Sequence, residues 1–193
     1  MVQILCMRHG QKDGDKLTPE GAKQVFIAGE YYKAEGFQFD CIFHSGANRT
    51  QQSAYIILAA LQEFYLPIRE NRNFIYTVGK DYFETREDFE KEVDEINKNG
   101  GLLDYALKVS QYAKNVRLMI IRALQKIAKD MESNNHELAL VIGHSPMIVT
   151  ASSDPQNTPY GILECDSILY TLDNNEIIAT ETVRGPIKGG TIC

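Results

Sequence analysis

Hydrophobic residues form two kinds of pattern along this chain, and each kind predicts a different element. Short, nearly continuous apolar runs are typical of strands that are covered on both faces of a sheet. Such runs lie at Val2–Met7, Phe39–Phe43 and Glu137–Ile142. A further short strand is expected between Leu66 and Val78. These segments predict the central strands of one sheet.

The segments between the strands carry apolar residues at helical spacing. A first helix is predicted to begin at Thr18-Pro19-Glu20, which offers a hydroxyl N-cap, proline at the first helical position and an acid in the first turn. Gly36 is expected to end it. Further helices are predicted, in chain order, over Ala47–Leu61, Asp104–Met131 and Ser145–Ser153.

Two more strands are predicted near the C-terminus, over Ser167–Leu172 and Glu176–Val183, because Asp173-Asn174-Asn175 between them is typical of a hairpin. Strands and helices otherwise alternate, which predicts an α/β fold, a three-layer α/β/α sandwich with a mostly parallel central sheet. The hairpin would add an antiparallel strand. We interpret residues 1–193 as a single domain with a charged, helical cap excursion at about residues 79–103.

Composition narrows the choice of partner and compartment. Lys and Arg number 20 and Asp and Glu 26, so the net charge of −6 argues against nucleic acid or an anionic membrane surface as a partner. No apolar run approaches the length of a membrane span, and Val2–Met7 is too short for the core of a signal peptide. The cysteines, Cys6, Cys41, Cys165 and Cys193, form no close pair. We expect free thiols in a reducing, cytoplasmic compartment.

Charged and imidazole residues stand where three of the predicted strands end. Arg8-His9-Gly10 follows the first strand, and His44-Ser45-Gly46 follows the second, with Arg49 one helical turn later. Gly143-His144-Ser145-Pro146 follows the strand that precedes the C-terminal hairpin. Ligands collect at the carboxyl ends of parallel strands. Guanidinium groups and the N-termini of following helices suit phosphate, so the sequence predicts a phosphate pocket that contains imidazoles.

The order of these motifs resembles the histidine phosphatase superfamily, the group related to cofactor-dependent phosphoglycerate mutase. The motifs that carry the resemblance are Arg8-His9-Gly10, Leu17-Thr-Pro-Glu-Gly21, Ser45-x-x-x-Arg49-x-x-x-Ser53-Ala54, Val141-Ile-Gly-His144 and Thr158-Pro-Tyr-Gly161. Together they span nearly the whole chain. The short chain is most similar to the small phosphohistidine phosphatase-type members.

The resemblance implies roles for the residues at the strand ends. His9 would attack phosphorus in line and form a phosphohistidine, which water then hydrolyses. The groups that would hold the phosphoryl oxygens are Arg8, Arg49 and His144. Gly10, Ser45 and Ser145 would complete the phosphate site. No metal ion and no cofactor is implied, because Arg and His supply the positive charge. The expected partner is a phosphorylated small molecule or a phosphoprotein, with no oligomeric state assigned.

The carboxylic acid that protonates the leaving group in such enzymes is missing from its two usual positions. One of them falls in Phe74-Ile75-Tyr76 and the other is Ser145. Glu70, Asp81 and Glu84 are possible substitutes, and we favour Glu84 because the charged excursion could fold over the pocket. The favoured function is a metal-independent phosphatase of the phosphomonoester or phosphoramidate type. The missing acid disfavours a phosphoglycerate mutase-type phosphotransferase and favours a second alternative, a catalytically weak module that binds phosphorylated ligands or phosphoproteins.

Three other features of the sequence have simpler interpretations. Cys41 and His44 have a metal-ligand spacing, but no second ligand pair follows them. Gly143-His-Ser-Pro-Met147 resembles a serine hydrolase elbow, but no histidine lies beyond residue 144 to complete a triad. His44 itself is expected to point away from the pocket, because side chains alternate along a strand.

Overall fold

The computed structural model describes residues 1–74 and 86–185, together with two short C-terminal strands at 187–188 and 191–192. The strands are β1 (Val2–Arg8), β2 (Lys12–Asp13), β3 (Lys16–Leu17), β4 (Cys41–His44), β5 (Ile68–Glu70), β6 (Leu138–Gly143), β7 (Ser167–Asp173), β8 (Glu176–Val183), β9 (Ile187–Lys188) and β10 (Thr191–Ile192). The α-helices are α1 (Pro19–Ala34), α2 (Asn48–Leu61), α3 (Arg86–Lys98), α4 (Leu103–Val109) and α5 (Gln111–Ser133). Single 3-10 turns lie at Arg72–Phe74 and Met147–Val149.

Six strands form the central sheet in the order β5-β4-β6-β1-β7-β8. Strands β5, β4, β6 and β1 run parallel, whereas β7 is antiparallel to β1 and β8 is antiparallel to β7. The mostly parallel sheet and its antiparallel C-terminal addition are therefore confirmed. The register aligns Arg8 with Gly143 and His44 with Ile142, so the residues that follow β1, β4 and β6 emerge side by side.

Apolar side chains on the two faces of the sheet build two separate cores, which confirms the three-layer sandwich. On one face, strand residues such as Leu5 and Ile142 pack with residues of α1 and α2. On the other, Ile4 and Val141 pack with residues of α5. Helices α1 and α2 approach so closely that a Cβ at Gly29 would lie 2.6 Å from the Cβ of Ala60.

The long helix predicted over Asp104–Met131 is wrong in one respect, because it is divided at Ser110. That residue has an extended backbone, and its Oγ accepts a hydrogen bond from the amide of Ala113, which starts α5 anew. The same hydroxyl donates to Oε1 of Glu92 at 2.6 Å. Serine competes with helical backbone bonding in this way, and the tertiary contact with α3 fixes the outcome.

The helix predicted over Ser145–Ser153 is also wrong, since only one 3-10 turn forms there. The Thr150 hydroxyl donates to the carbonyl of Met147, and the amide of Ser152 bonds to the carbonyl of Val149. Hydroxyl residues with such local bonds are weak helix formers. The segment after β6 therefore offers no extended helix N-terminus to the site, whereas α2 does.

The predicted cap region contains α3, and residues 79–85 of it lie outside the described part of the chain. Phe89 of α3 is buried, and its ring lies 5.6 Å from the ring of Tyr112 on α5. The single-domain boundary and the role of this region as a cap stay predictions.

The cysteines within the described residues are free and buried, as expected for thiols in apolar surroundings. Burial raises the pKa of Cys41 to about 11 and that of Cys165 to about 12. Cys193 lies outside the described residues. In the part of the chain that the structure describes, no helix is both long enough and apolar enough to cross a membrane.

Candidate active site

The strand register brings the two imidazoles of the predicted pocket together. His9 follows β1 and His144 follows β6, and the amide of His9 donates to the carbonyl of Gly143. The centroids of the two rings lie 5.1 Å apart, with the ring planes at 68°. Only 4% of the surface of His9 and 2% of that of His144 are exposed. Both rings are thus fixed in a largely dry environment at the carboxyl edge of the sheet.

Arg49 connects both imidazoles from the first turn of α2. Its Nε donates to Nε2 of His9 at 3.2 Å, and its Nη2 lies 3.3 Å from Nδ1 of His144. The remaining arm, Nη1, pairs with a carboxylate oxygen of Asp15 at 2.8 Å. One planar guanidinium group therefore sets the relative position of the two rings.

The hydrogen bonds of His9 define its tautomer. Nδ1 lies 2.7 Å from the carbonyl oxygen of Gly10, which can only accept, so Nδ1 carries the proton. Nε2 accepts from Arg49 and therefore holds a lone pair. Burial, aided by the charges of Arg49 and Arg8, lowers the pKa of His9 to about 4. At neutral pH the imidazole is uncharged, with Nε2 available as a nucleophile or an acceptor.

A chain of hydroxyl groups holds His144 in the other tautomer. Because Nδ1 accepts from Arg49, Nε2 carries the proton and donates to Ser45 Oγ at 2.8 Å. Ser45 lies 2.9 Å from Thr50 Oγ1, and Thr50 donates in turn to the carbonyl of Ala47. Burial, with the nearby charge of Arg49, lowers the pKa of His144 to about 2. The fully buried Ser45 hydroxyl is thus engaged behind His144, and Thr50 is a site residue that the sequence analysis missed.

Arg8 and Ser145 contact the segment that precedes β7. Arg8 Nη1 donates to the carbonyl of Ile162 at 2.6 Å, and Nη2 pairs with Glu164 at 2.8 Å. Ser145 Oγ accepts from the amide of Ile162 at 3.0 Å. The structure therefore brings Arg49 into direct contact with His9 and His144, and places Arg8 beside them against residues 162–164.

Known proteins share this arrangement of motifs. Residues 4–165 match the histidine phosphatase superfamily, branch 1. The chain belongs to the histidine phosphatase superfamily. The family resemblance that the motifs indicated is therefore confirmed.

Named relatives of this histidine phosphatase superfamily member include mutases and phosphatases. A phosphoglycerate mutase of Candida albicans is 28% identical over 112 residues, which cover 50% of this chain and 45% of that protein. The chain thus matches less than half of the length of that relative. The structure of phosphoglycerate mutase from Bacillus anthracis has a TM-score of 0.67 at 18% identity, covering 94% of this chain and 92% of the other. The protein histidine phosphatase SixA complexed with tungstate has a TM-score of 0.61 at 15% identity, covering 96% and 97%. These two structures show the shared fold.

Both arginines of this superfamily member already have carboxylate partners, which the sequence analysis also missed. Asp15, in the turn between β2 and β3, is about half exposed beside Arg49, whereas Glu164 beside Arg8 is 27% exposed. Two guanidinium charges are thus balanced by two carboxylates around neutral imidazoles. No local motif marks either acid, because each pairing joins segments that are far apart in sequence.

The proposed substitutes for the missing acid have different outcomes. Glu84 and Asp81 lie outside the described residues. Glu70 is hydrogen-bonded to Arg72, which, more than any other group, holds the pKa of Glu70 below its usual range and favours the ionised form. An ionised carboxylate has no proton to donate, so Glu70 is poorly suited to the role. His44 is engaged by its own loop, since its Nδ1 accepts from the amide of Gly46 at 3.1 Å.

Among the described residues, no three His, Cys, Asp or Glu side chains are grouped in a way that could hold a metal ion. The groups that converge on the site are instead two guanidinium ions, two neutral imidazoles and buried hydroxyls. This set suits the binding of a tetrahedral oxyanion and nucleophilic attack by an imidazole.

Proposed function

We propose that this protein is a metal-independent phosphatase that hydrolyses a phosphomonoester or phosphoramidate through a phosphohistidine on His9. The observation that carries the proposal is the state of His9. Its ring is neutral, its Nδ1 proton is held by the Gly10 carbonyl, and its Nε2 lone pair is directed at Arg49. In-line phosphoryl transfer requires a neutral nucleophile whose lone pair can face phosphorus, and Arg49 would hold the phosphoryl oxygens beside that lone pair.

The reaction takes place in two steps. In the first, the lone pair of His9 Nε2 forms a bond to phosphorus while the bond from phosphorus to the leaving group breaks. In the second, the oxygen of a water molecule forms a bond to phosphorus and loses a proton to solvent, while the bond from phosphorus to Nε2 breaks and returns its electron pair to His9, which releases inorganic phosphate. Arg8, Arg49 and His144 hold the phosphoryl oxygens during both steps.

Arg49 has to exchange partners when substrate binds. Its Nε and Nη2 protons are directed at the two imidazoles in the free protein, and a phosphoryl group placed between the rings offers stronger, charged acceptors. This exchange frees the Nε2 lone pair of His9 at the moment that phosphorus approaches it. Gly10, Ser45 and Ser145 stay our assignments for the rest of the phosphate site, with Ser45 acting through His144.

Hydrolysis is favoured over mutase activity by the acid that is missing from the two usual positions. A mutase has to protonate and deprotonate alcohol oxygens of its substrate repeatedly, and a placed acid contributes typically about 10²–10⁴-fold to such steps. Relatives of both kinds have this fold, and the SixA structure contains tungstate, an oxyanion similar in shape to phosphate. Glu84 stays our candidate for the proton donor.

A binding module is the second candidate, and one specific observation favours it. Both arginines are paired with carboxylates in the free protein, so a bound phosphate group has to displace or share these partners. Turnover of a generic aryl phosphate distinguishes an enzyme from a binding module.

The deciding experiment is to trap the covalent intermediate. After rapid, acid-free quenching with a ³²P-labelled aryl phosphate, the wild type is expected to carry a label that is acid-labile and alkali-stable, as a phosphoramidate is. His9→Ala should lose both the label and turnover. His136→Ala, which changes a histidine in the loop after α5, is the matched control and should keep both. Near-normal turnover in His9→Ala would contradict the proposal, and label transfer to 3-phosphoglycerate rather than to water would indicate a mutase.

A further inference from the structure

A cavity of about 350 Å³ lies between α3 and the segment at residues 160–163. Its volume is at the lower end of the range of roughly 300–1,000 Å³ that is typical of small-molecule sites. The residues that line it include Arg8, Phe89, Ser145, Tyr160, Ile162 and Leu163. We call it the side cavity.

The side cavity adjoins the candidate active site. Arg8 and Ser145 line it, and each is the direct chain neighbour of one of the two site imidazoles. Both side chains are fixed to the opposite wall, because Arg8 donates to the carbonyl of Ile162 and Ser145 accepts from its amide. A substrate whose phosphoryl group lies against the imidazoles can therefore extend its leaving group past Arg8 into this cavity.

The walls of the side cavity carry somewhat more apolar than polar surface, and the apolar part comes from aromatic and aliphatic side chains. Phe89 and Ile162 are 7% and 6% exposed, and both are anchored in the hydrophobic core of the protein. Tyr160 adds a second buried aromatic ring, and Leu163 stands at the surface with 48% of its area exposed. A pre-formed apolar wall with rings from two different segments is suited to a flat, apolar group.

Charge excludes one class of leaving group. Among the described residues that line the side cavity, Arg8 is the only charged one, and Glu164 already pairs with it. Among the described residues of these walls, no further cation would pair with a leaving group that carries its own carboxylate or second phosphate. Burial of an unpaired anion is strongly unfavourable, so the cavity disfavours glycerate-type substrates.

We propose that the side cavity binds the leaving group of the substrate and that this group is a small aromatic ring. The inference rests on the proposed phosphatase function and narrows its substrate class to phosphates of phenols and aromatic acids. In the first chemical step the bond between phosphorus and oxygen breaks, and the phenolate or arenecarboxylate leaves with the electron pair. A phenolate takes its proton from water afterwards. Such leaving groups need little help from an enzyme acid, which agrees with the missing acid at the two usual positions.

Binding tests the cavity without requiring turnover. Benzylphosphonate, in which a methylene group replaces the ester oxygen of phenyl phosphate, is compared with methylphosphonate by isothermal calorimetry. The wild type should bind benzylphosphonate roughly tenfold or more tightly than methylphosphonate, the discrimination expected of an apolar pocket. Equal dissociation constants for the two compounds would overturn the proposal.

Gly161→Leu is designed to fill the cavity. A Cβ at residue 161 meets only Ser145 Oγ, at an ordinary contact distance of 3.6 Å, so a side chain can be added there without displacing the backbone. The leucine should remove most of the preference for benzylphosphonate, and Gly161→Ala should reduce it by less. An unchanged preference in Gly161→Leu would overturn the proposal.

Leu163→Asp gives a second test that does not depend on tolerance at residue 161. The new carboxylate should repel an apolar ring at the cavity mouth and lower the preference several-fold. Leu118→Asp, which changes a similarly exposed leucine on α5, is the matched control and should leave the preference intact. If Leu163→Asp and Leu118→Asp changed the preference for benzylphosphonate equally, the assignment of the side cavity as the aromatic site would be wrong.

Turnover separates this inference from the proposed function. Benzoyl phosphate and acetyl phosphate release carboxylates of similar acidity, so their difference in kcat/KM reports the ring rather than leaving-group chemistry. We expect benzoyl phosphate to be favoured roughly tenfold and Gly161→Leu to remove that advantage. If neither acyl phosphate is hydrolysed but benzylphosphonate still binds more tightly than methylphosphonate, the proposed phosphatase function is overturned and the aromatic site in the side cavity is supported. If neither phosphonate binds, both the proposed phosphatase function and the proposed aromatic site are overturned.

Discussion

Arg49 and Arg8 are the two guanidinium groups of the site, and their surroundings differ. The side chain of Arg49 is 14% exposed and contacts both imidazoles, while that of Arg8 is 28% exposed and contacts the segment that precedes β7. Arg49 thus fixes the two imidazoles, and Arg8 is fixed to the wall of the side cavity. We therefore propose that, although both arginines bind the phosphoryl group, Arg49 acts mainly on the nucleophile and Arg8 mainly on the placement of the leaving group.

The largest expected effect is that of Arg49→Ala. Loss of a group that positions His9 and stabilises transition-state charge should lower kcat by about 10³-fold. The same variant should lose most of the stabilisation by vanadate, which is roughly 2.7 kcal/mol at 100 times the dissociation constant. Turnover and thermal unfolding with vanadate measure the two effects.

Arg8→Ala is the comparison variant for Arg49→Ala, and Arg69→Ala, which removes an exposed arginine paired with Asp130, is the control. We expect Arg8→Ala to lower kcat about tenfold less than Arg49→Ala and to change the preference for aromatic leaving groups. Equal losses of kcat, with substrate preference unaltered, would show that the division of tasks is wrong.

The pH dependence of stability tests the buried imidazoles on the Arg49 side. The pKa of His9 is lowered in the folded protein, to about 4 from an ordinary value of 6.5. Below pH 6.5 the unfolded chain therefore binds more protons than the folded one, and stability falls as the pH falls. The part of the free energy of unfolding that depends on neutral His9 is fully present above pH 6.5. As the pH falls to 4, it decreases by on the order of 3 kcal/mol.

Denaturant unfolding at several pH values between 4 and 7 measures this loss. His9→Gln should reduce the dependence without abolishing it, because burial also lowers the pKa of His144, and His136→Gln should leave the dependence unchanged. A stability that stays constant from pH 7 to pH 4 in the wild type would contradict the neutral, buried imidazole on which the nucleophile assignment depends.

Ser45→Ala tests the hydroxyl chain behind His144. The variant removes the acceptor for the proton on His144 Nε2, so the ring loses its fixed tautomer and orientation. We expect kcat to fall by roughly 10–100-fold, from about 1–3 kcal/mol for a buried group left unsatisfied, with KM nearly unchanged. Thr50→Ser keeps the hydroxyl and should retain most activity. A rise in KM without a fall in kcat would instead favour direct phosphate binding by Ser45.

Asp15→Asn is expected to have the smallest effect. It removes an exposed counter-charge from Arg49, so the affinity for phosphate should rise by roughly two- to fivefold at low salt and by less at high salt. Glu164→Gln acts on the less exposed pair and should give a larger gain. Weaker phosphate binding in either variant would show that the carboxylates assist binding rather than compete with phosphate.

Patterns of residues close together in the sequence predicted the central strands, helices α1 and α2, and the meeting of the candidate site residues. Apolar runs mark β1, β4 and β6 because central strands must be covered on both faces. His9, Arg49 and His144 could be placed together because the carboxyl ends of parallel strands meet at one edge of the sheet. The superfamily followed from the order of these motifs.

Tertiary structure alone decided the features that depend on partners distant in the chain. Ser110 divides a helix because it caps α5 and bonds to Glu92 on α3. The segment after β6 forms only a 3-10 turn, and Arg117 of α5 donates to two of its backbone carbonyls from 33 and 35 residues away. Asp15 and Glu164 reach arginines 34 and 156 residues away, and the side cavity exists only where α3 meets residues 160–163. The spacing of apolar residues predicts which side of a helix or strand is buried. It does not predict which side chains from distant parts of the sequence will contact that side.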